Sequence, residues 1–199
     1  MSRQPYTERT DKSLVAAYRK GDIAAFDTLV ERYRRPVFGF ILNSTCNQAD
    51  AEEVYQETWL KAIRGLDSYK EKNFGGWLVR IARNTMIDRS RRRRPDVSLD
   101  AESATGRPLS EVVADGGPGP HDQMVASDLG RAIGEAVDTL QPEQKEVFLM
   151  RVEAELSFKE IAAIQGVPIN TALSRMQYAL NRLKPLLRKQ YHDVTDRSE

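Results

Sequence analysis

Ser157-Phe-Lys-Glu-Ile-Ala-Ala-Ile-Gln-Gly166-Val-Pro-Ile-Asn170-Thr-Ala-Leu-Ser-Arg175-Met-Gln-Tyr-Ala-Leu-Asn-Arg-Leu183 is the most informative stretch of this chain. Ser157 followed three residues later by Glu160 has the form of a capping box and predicts a short helix over Phe158–Gln165. Gly166-Val167 turns the chain. A second amphipathic helix then starts at Ile169 or Asn170, runs to about Arg188, and is perturbed at Pro185. Ile161, Ala162, Ile164, Val167, Ala172 and Met176 supply the apolar packing of a helix-turn-helix. In that motif the start of the second helix enters the DNA major groove. Its polar positions are Asn170, Thr171, Ser174, Arg175 and Gln177. Arg175 has the two-pronged donor that reads guanine, and Asn or Gln has the pair that reads adenine. Thr171 and Ser174 are candidate phosphate contacts. An ordinary helix hairpin with a solvated face is the simpler explanation of the same pattern.

Upstream of this motif the chain stays helical. Leu129, Ile133, Ala136, Val137 and Leu140 recur at helical spacing, and Pro142 opens a further helix containing Val147, Phe148 and Met150. Nearer the N-terminus four helices are expected. Asp11–Lys20 is capped by Thr10, with Gly21 ending it and Asp22 capping the next. The second helix places Ile23, Phe26, Leu29, Val30, Tyr33, Val37, Phe40 and Ile41 on one stripe, with a kink or break expected at Pro36. A third starts at Asn47 or Gln48 and runs through Ile63, with Val54, Trp59, Leu60 and Ile63 apolar. A polar loop, Asp67–Asn73, leads to a fourth from Phe74 to Arg92, packing through Trp77, Leu78, Ile81, Ala82, Thr85 and Met86. No strand pattern and no internal repeat is present.

Charge divides the chain further. Residues 1–94 hold 19 Lys and Arg against 12 Asp and Glu, residues 95–128 hold one against seven, and residues 129–199 hold ten of each. The middle segment loses helical periodicity and carries Gly106, Pro108, Gly116, Gly117, Pro118, Gly119 and Pro120, which reads as a flexible acidic linker. The expected architecture is therefore all-α. Two small helical domains, 1–94 and 129–199, are joined by a linker over 95–128, and the second domain contains the helix-turn-helix.

Two further surfaces stand out. Arg89-Ser-Arg91-Arg92-Arg93-Arg94 closes the fourth helix with more cations than its C-terminal dipole requires, which points to phosphate binding; Arg80 and Arg83 extend that charge. Glu53, Gln56 and Glu57 share a face of the third helix, where the acids repel each other slightly; that suits a basic protein partner, although a solvated face is the simpler reading of the residues alone. Trp77 reads first as core, although a polar loop beside aromatic and arginine side chains is also how proteins hold unstacked bases. Enzymatic patterns are missing. There is no glycine-rich phosphate loop and no metal-ligand spacing, Cys46 is the single cysteine, and His121 and His192 fall in the linker and the tail. No catalytic residue, cofactor or metal is expected. No apolar run is long enough to span a membrane and no secretory signal opens the chain, so a cytoplasmic location is expected.

The residues resemble those of extracytoplasmic-function (ECF) RNA polymerase sigma factors over about Asp11–Leu187. Asp11-Lys-Ser-Leu14, Gly21-Asp22, Ala25-Phe26, Leu29 and Tyr33 match first. They are followed by Asp50-Ala-Glu-Glu-Val-Tyr-Gln-Glu-Thr-Trp59, by Trp77-Leu-Val-Arg-Ile-Ala-Arg-Asn84 with Ile87-Asp88-Arg89 and Arg91, and by Leu140-Gln-Pro-Glu-Gln-Lys-Glu-Val-Phe148. Leu156-Ser-Phe-Lys-Glu-Ile-Ala163 with Gly166–Arg175 completes the series. The resemblance implies that Asp50, Glu52, Glu53, Gln56 and Glu57 dock on core RNA polymerase. It implies that Asp67, Ser68, Tyr69, Lys70, Asn73, Trp77, Arg80, Arg83, Asn84, Asp88, Arg91 and Arg92 handle the minus-ten promoter element, with the loop capturing a flipped base. Ser157, Asn170, Thr171, Ser174, Arg175, Gln177 and Tyr178 would then read the minus-thirty-five element. Promoter DNA, core polymerase and an anti-sigma factor are the implied partners, without membrane insertion. Asn170-Thr171-Ala172 stands where the family often has Gly-Thr-Val, and Leu173 where it often has a basic residue. Two other classes fit parts of the pattern. A conventional helix-turn-helix regulator would leave the Glu53–Glu57 face without a role, and a nucleic-acid enzyme would need a catalytic cluster that the sequence lacks.

Overall fold

A computed structural model describes residues 5–70, 73–93 and 133–195, without the side chains of residues 93, 187 and 189–195. The acidic linker and the C-terminal end of the arginine run lie outside the described residues. Eight helices follow one another: α1 Asp11–Tyr18, α2 Ile23–Thr45, α3 Gln48–Gly65, α4 Phe74–Arg93, α5 over 133–138, α6 Pro142–Val152, α7 Phe158–Gln165 and α8 Ile169–Thr195. Single 3-10 turns at Tyr6–Glu8 and Leu66–Ser68 complete the elements. No strand occurs among the described residues.

The caps explain most of the boundaries. Thr10 accepts from Ser13 N at the start of α1, and Asn47 accepts from Asp50 N at the start of α3. Ser157 and Glu160 close a full capping box on α7. Gly166 then takes a left-handed φ of 68°, which glycine reaches without steric cost, and turns the chain into α8.

Several expectations need correction. Asp22 precedes α2 but makes no side-chain cap hydrogen bond; its carboxylate instead accepts from Tyr6 Oη at 2.8 Å. The helix α2 passes through Pro36 unbroken, because Leu29, Val37, Phe40 and Ile41 are fully buried on both sides of the lost hydrogen bond. Pro185 lies inside α8, which runs past it as expected. Ile23, expected on the apolar stripe, is exposed, as are the apolar Leu60 and Ile63 of α3.

The first four helices pack around Leu14, Leu29, Phe40, Val54, Trp59, Phe74 and Leu78, and α5–α8 pack around Val137, Val147, Met150, Ile161, Ala172 and Leu183. The two halves are not apart. α6 lies against α2 and α7 against α4, so the buried side chains form one continuous cluster. Nothing in the sequence pattern signals this docking, since each half completes its own helical periodicity.

Candidate nucleic-acid and protein interfaces

The acidic face of α3 has an internal partner. Arg89 of α4 pairs with Glu53 and lies 3.6 Å from Asp50 and 4.0 Å from Glu57. Its side chain is only 22% exposed, whereas that of Glu53 is 62% exposed. Arg89, read from sequence as part of a phosphate-binding run, is thus engaged in holding α4 to α3. Glu57 also accepts an ion pair from Lys61 at 2.9 Å. Glu52 and Gln56 are exposed, and Glu52 accepts from Gln48 at 3.0 Å. The face that remains toward solvent carries Glu52, Glu53 and Gln56, with exposed Leu60 one turn on.

A second surface lies between α3 and α4. Arg19 fixes the chain leaving α3 by donating to Leu66 O and to Tyr69 O, the shortest bonds being 2.6 and 2.7 Å. Tyr69 packs against Trp77 with centroids 4.8 Å apart and planes tilted by 50°, and meets the Phe74 ring edge-on at 5.5 Å. Asn73 accepts from Gly76 N at 3.1 Å, which caps α4. Against this aromatic wall sits a cleft of about 290 Å³ lined by Lys61, Gly65, Ser68, Trp77, Ile81 and Asn84. Trp77, Ile81 and Asn84 line it together because spacings of four and seven residues return to one helix face. Gly65 lies close under the ring: a Cβ there would stand 3.1 Å from Trp77, so the ring would have to give by a few tenths of an ångström. Lys61 reaches Thr85 Oγ1 at 3.0 Å across the cleft wall. The expectation that Trp77 is core is met, and the same ring also shapes the cleft. Lys61 and Gly65 were not singled out from sequence, and Ile81 was read there only as a packing position.

The remaining candidates of this half spread along α4. Asp67, Ser68 and Lys70 are exposed on the loop, as are Asn84, Arg91 and Arg92 on the helix, while Arg80 and Asp88 are half-buried. Arg83 points elsewhere: it pairs with Glu146 of α6 at 2.6 Å.

The third surface is the exposed start of α8. Asn170, Ser174, Gln177 and Tyr178 face solvent, Tyr178 at 63% exposure, and Leu173 lies among them. Ser174 Oγ donates back to Asn170 O, and Gln177 donates to Asn181. Thr171 is half-buried. Arg175 is half-buried too and donates to Gln165 Oε1 at 2.7 Å. Ser157 is exposed and serves as the α7 cap.

Between the halves several polar contacts converge. Asn73 donates to Glu160 at 2.5 Å, and Asn43 donates to Glu153 at 3.1 Å. Lys145 donates to Asp138 and to the Cys46 thiol, which itself donates to Asp138. Burial pushes the Cys46 thiol pKa up, while burial works against the Lys145 ammonium but is outweighed by Asp138 and Cys46. Burial alone raises the Glu153 carboxyl. Burial also acts upward on Glu160, but hydrogen bonds from the Ser157 side chain, Asn73 and the Ser157 backbone together hold it below the ordinary range.

Comparison with known proteins gives this arrangement a family. Residues 29–95 match sigma-70 region 2 and residues 130–188 match sigma-70 region 4. The chain is 33% identical over 187 residues to the ECF RNA polymerase sigma factor SigW of Bacillus subtilis, covering 92% of this chain and 97% of that one. This chain belongs to the ECF RNA polymerase sigma factors. The ECF sigma-E factor of Haemophilus influenzae is 32% identical over 89% of the chain and 97% of its own length. Among solved structures, the sigma factor RpoE of Bartonella quintana with the anti-sigma factor NepR shares the fold, with a TM-score of 0.65, 24% identity, and coverage of 82% of this chain and 96% of that one. CnrH, solved with the cytosolic domain of CnrY, gives 0.62 and 22% over 90% of this chain and 97% of that one. In this sigma factor the region 2 match spans most of α2 together with α3 and α4, and the region 4 match contains α5–α7 and most of α8. Matches to both halves, in order, disfavour the conventional-regulator reading. No described helix is long and apolar enough to cross a membrane.

Proposed function

We propose that this sigma factor binds core RNA polymerase through the solvent side of α3 and reads promoters with two separate surfaces, one per half. The halves are residues 1–94 and 129–199, joined by 95–128. Glu52, Glu53 and Gln56 offer an acidic and amide face to a basic partner, with Asp50 and Glu57 held behind them by Arg89. The start of α8 presents Asn170, Ser174, Gln177 and Tyr178 to duplex DNA at the minus-thirty-five element, where amides suit adenine. The minus-ten element is read as an extruded single strand, its backbone followed by Lys70, Arg80, Arg91 and Arg92. The chain works in the cytoplasm and takes an anti-sigma factor as a further partner. Its role is binding and strand separation without covalent chemistry.

The observation that carries this reading is the cleft beside Trp77. It is small, walled by an aromatic ring, and offers the Asn84 amide and the Lys61 ammonium at its edges. Those are the features that hold one flipped base: a stacking face and a few donors and acceptors for its edge. Run-off transcription with core polymerase on a library randomised across the minus-ten element tests it. Asn84→Asp replaces a donor with an acceptor and should change the preferred base at a single position while core affinity stays constant. An unchanged preference would reject the cleft as the base pocket.

A further inference from the structure

The start of α8 offers more than hydrogen-bonding groups. Leu173 is 43% exposed, and Ile169, one turn before it on the same flank, is 47% exposed. The helix does not use them for packing. Its inner side is supplied by Ala172, Ala179 and Leu183, with Met176 partly buried beside them. A lone exposed leucine is ordinary on a protein surface. Two adjacent apolar side chains at the N-terminal end of a helix-turn-helix reading helix are a feature of that surface.

The neighbours of Leu173 are polar. Asn170 stands three residues before it, Ser174 follows it, and Gln177 stands four residues after it, so all of them share the solvent side of α8. An apolar group set between two amides has a counterpart in the major groove. There an adenine presents N7 and N6, which an amide pairs with, and its partner thymine presents O4 and a 5-methyl group. That methyl is the apolar element of the base-edge pattern. A leucine has nothing to offer a phosphate or a base oxygen, so its contact on DNA is with the methyl.

We infer that Leu173, extended by Ile169, is a specificity-determining residue that contacts thymine 5-methyl groups in the upstream promoter element. This rests on the reading that the start of α8 enters duplex DNA there. Asn170 and Gln177 hold the side chain over A·T pairs, and Leu173 excludes water from the methyl. Leu180 lies on the same flank but seven residues further on, about 10 Å along the axis, whereas the first residues of such a helix are the ones that meet base edges. A partner helix laid along the whole flank is the rival occupant. The polar border of Asn170, Ser174 and Gln177 around Leu173 favours a base edge over an apolar seam.

The test uses holoenzyme assembled from core polymerase and the full chain. Duplex promoters randomised across the upstream element are first selected for binding. Deoxyuridine then replaces each thymine of the selected element in turn, which removes the 5-methyl and keeps the base pair. Replacement at one or two adjacent positions should weaken binding about fourfold, the worth of one buried carbon of this kind. In Leu173→Ala the same replacements should cost nothing, and Leu173→Met should keep part of the difference. Leu173 is exposed, so both variants should retain helical circular dichroism and core affinity. A selected element without thymine, deoxyuridine tolerated at every position, or a loss that persists in Leu173→Ala would each overturn the inference. Leu173→Ala weakening binding by one factor on every promoter, with or without the methyl, would overturn it in favour of a protein contact. Failure of the underlying reading looks different. A selection that returns no upstream preference removes base reading by α8 altogether, whereas a preference indifferent to the methyl removes only the role of Leu173.

Discussion

Replacing Arg89 with Gln separates two roles that the sequence had merged. The guanidinium sits among Asp50, Glu53 and Glu57, pairing closely with Glu53. A close unit-charge pair near a protein surface has a bare attraction of about 4 kcal/mol. Solvent access to these carboxylates, between 27% and 62% exposed, removes most of that. Measured exposed pairs contribute about 0.2–1 kcal/mol. Three pairs sharing one cation and one desolvation cost should sum to about 1 kcal/mol, or a fall in Tm of about 2–4 °C for a chain of this size. Scanning calorimetry at low and high salt should show the loss shrinking as screening shortens the Debye length. Core polymerase binding should respond in the opposite direction. Without Arg89 the three carboxylates are no longer neutralised, so attraction to a basic partner grows and a titration should give equal or tighter affinity. A clear fall in core affinity with Tm unchanged would refute the reasoning, because Arg89 would then be a contact to polymerase rather than a clamp.

Other expectations follow from the same geometry. Arg175→Ala should cost about 1–3 kcal/mol on promoters matched at one upstream position and less on variants there, since a bidentate base contact discriminates; footprinting that shows equal losses on all variants would assign Arg175 to phosphate. Glu153 gives closure a pH dependence. Burial raises its pKa in the closed form, so the closed form binds the proton more tightly; its contribution is complete below the ordinary carboxylate value and is lost as pH rises through the raised one. Its neighbours on α2, Gly39 and Asn43, carry no charge to offset this. Glu160 acts oppositely, since its lowered pKa makes its contact with Asn73 fail only as pH falls below the ordinary range. Glu153→Gln should therefore keep the chain compact at neutral pH and flatten the rise in radius with pH seen by scattering.

The helices were legible because their signals are local. Thr10 and Ser157 each cap the helix that the sequence assigned to them, Asn47 caps the helix expected to start at Asn47 or Gln48, and Gly166 turns where a glycine was needed. The solvated face of α8 was likewise readable from spacing alone. What the sequence did not disclose depends on partners far along the chain. Arg89 looked like one more cation in a basic run until α4 was laid on α3. The cleft beside Trp77 draws its lining from α3, the following turn and α4, so no single window of sequence contains it. Pro36 was read as a kink or break and Pro185 as a perturbation, because local rules assign the cost of a lost hydrogen bond without the packing that offsets it. The docking of the two halves had no local trace at all.

That docking bears on how a sigma factor of this length can avoid promoters when alone. Exposed reading groups on both halves would hold DNA nonspecifically through phosphate contacts. Pairing Arg83 with Glu146 and Asn73 with Glu160 removes downstream donors from solvent and uses no residue outside the chain. The groups that close the molecule on the region 4 side belong to α6 and α7, not to the exposed start of α8. Opening can therefore release the downstream reader without unfolding the upstream one. The proposed polymerase face on α3 lies on a different helix from the α2 and α4 surfaces that α6 and α7 cover. Polymerase and region 4 need not compete for one surface. Only a partner that favours an open form more strongly than the closed one could shift such an equilibrium.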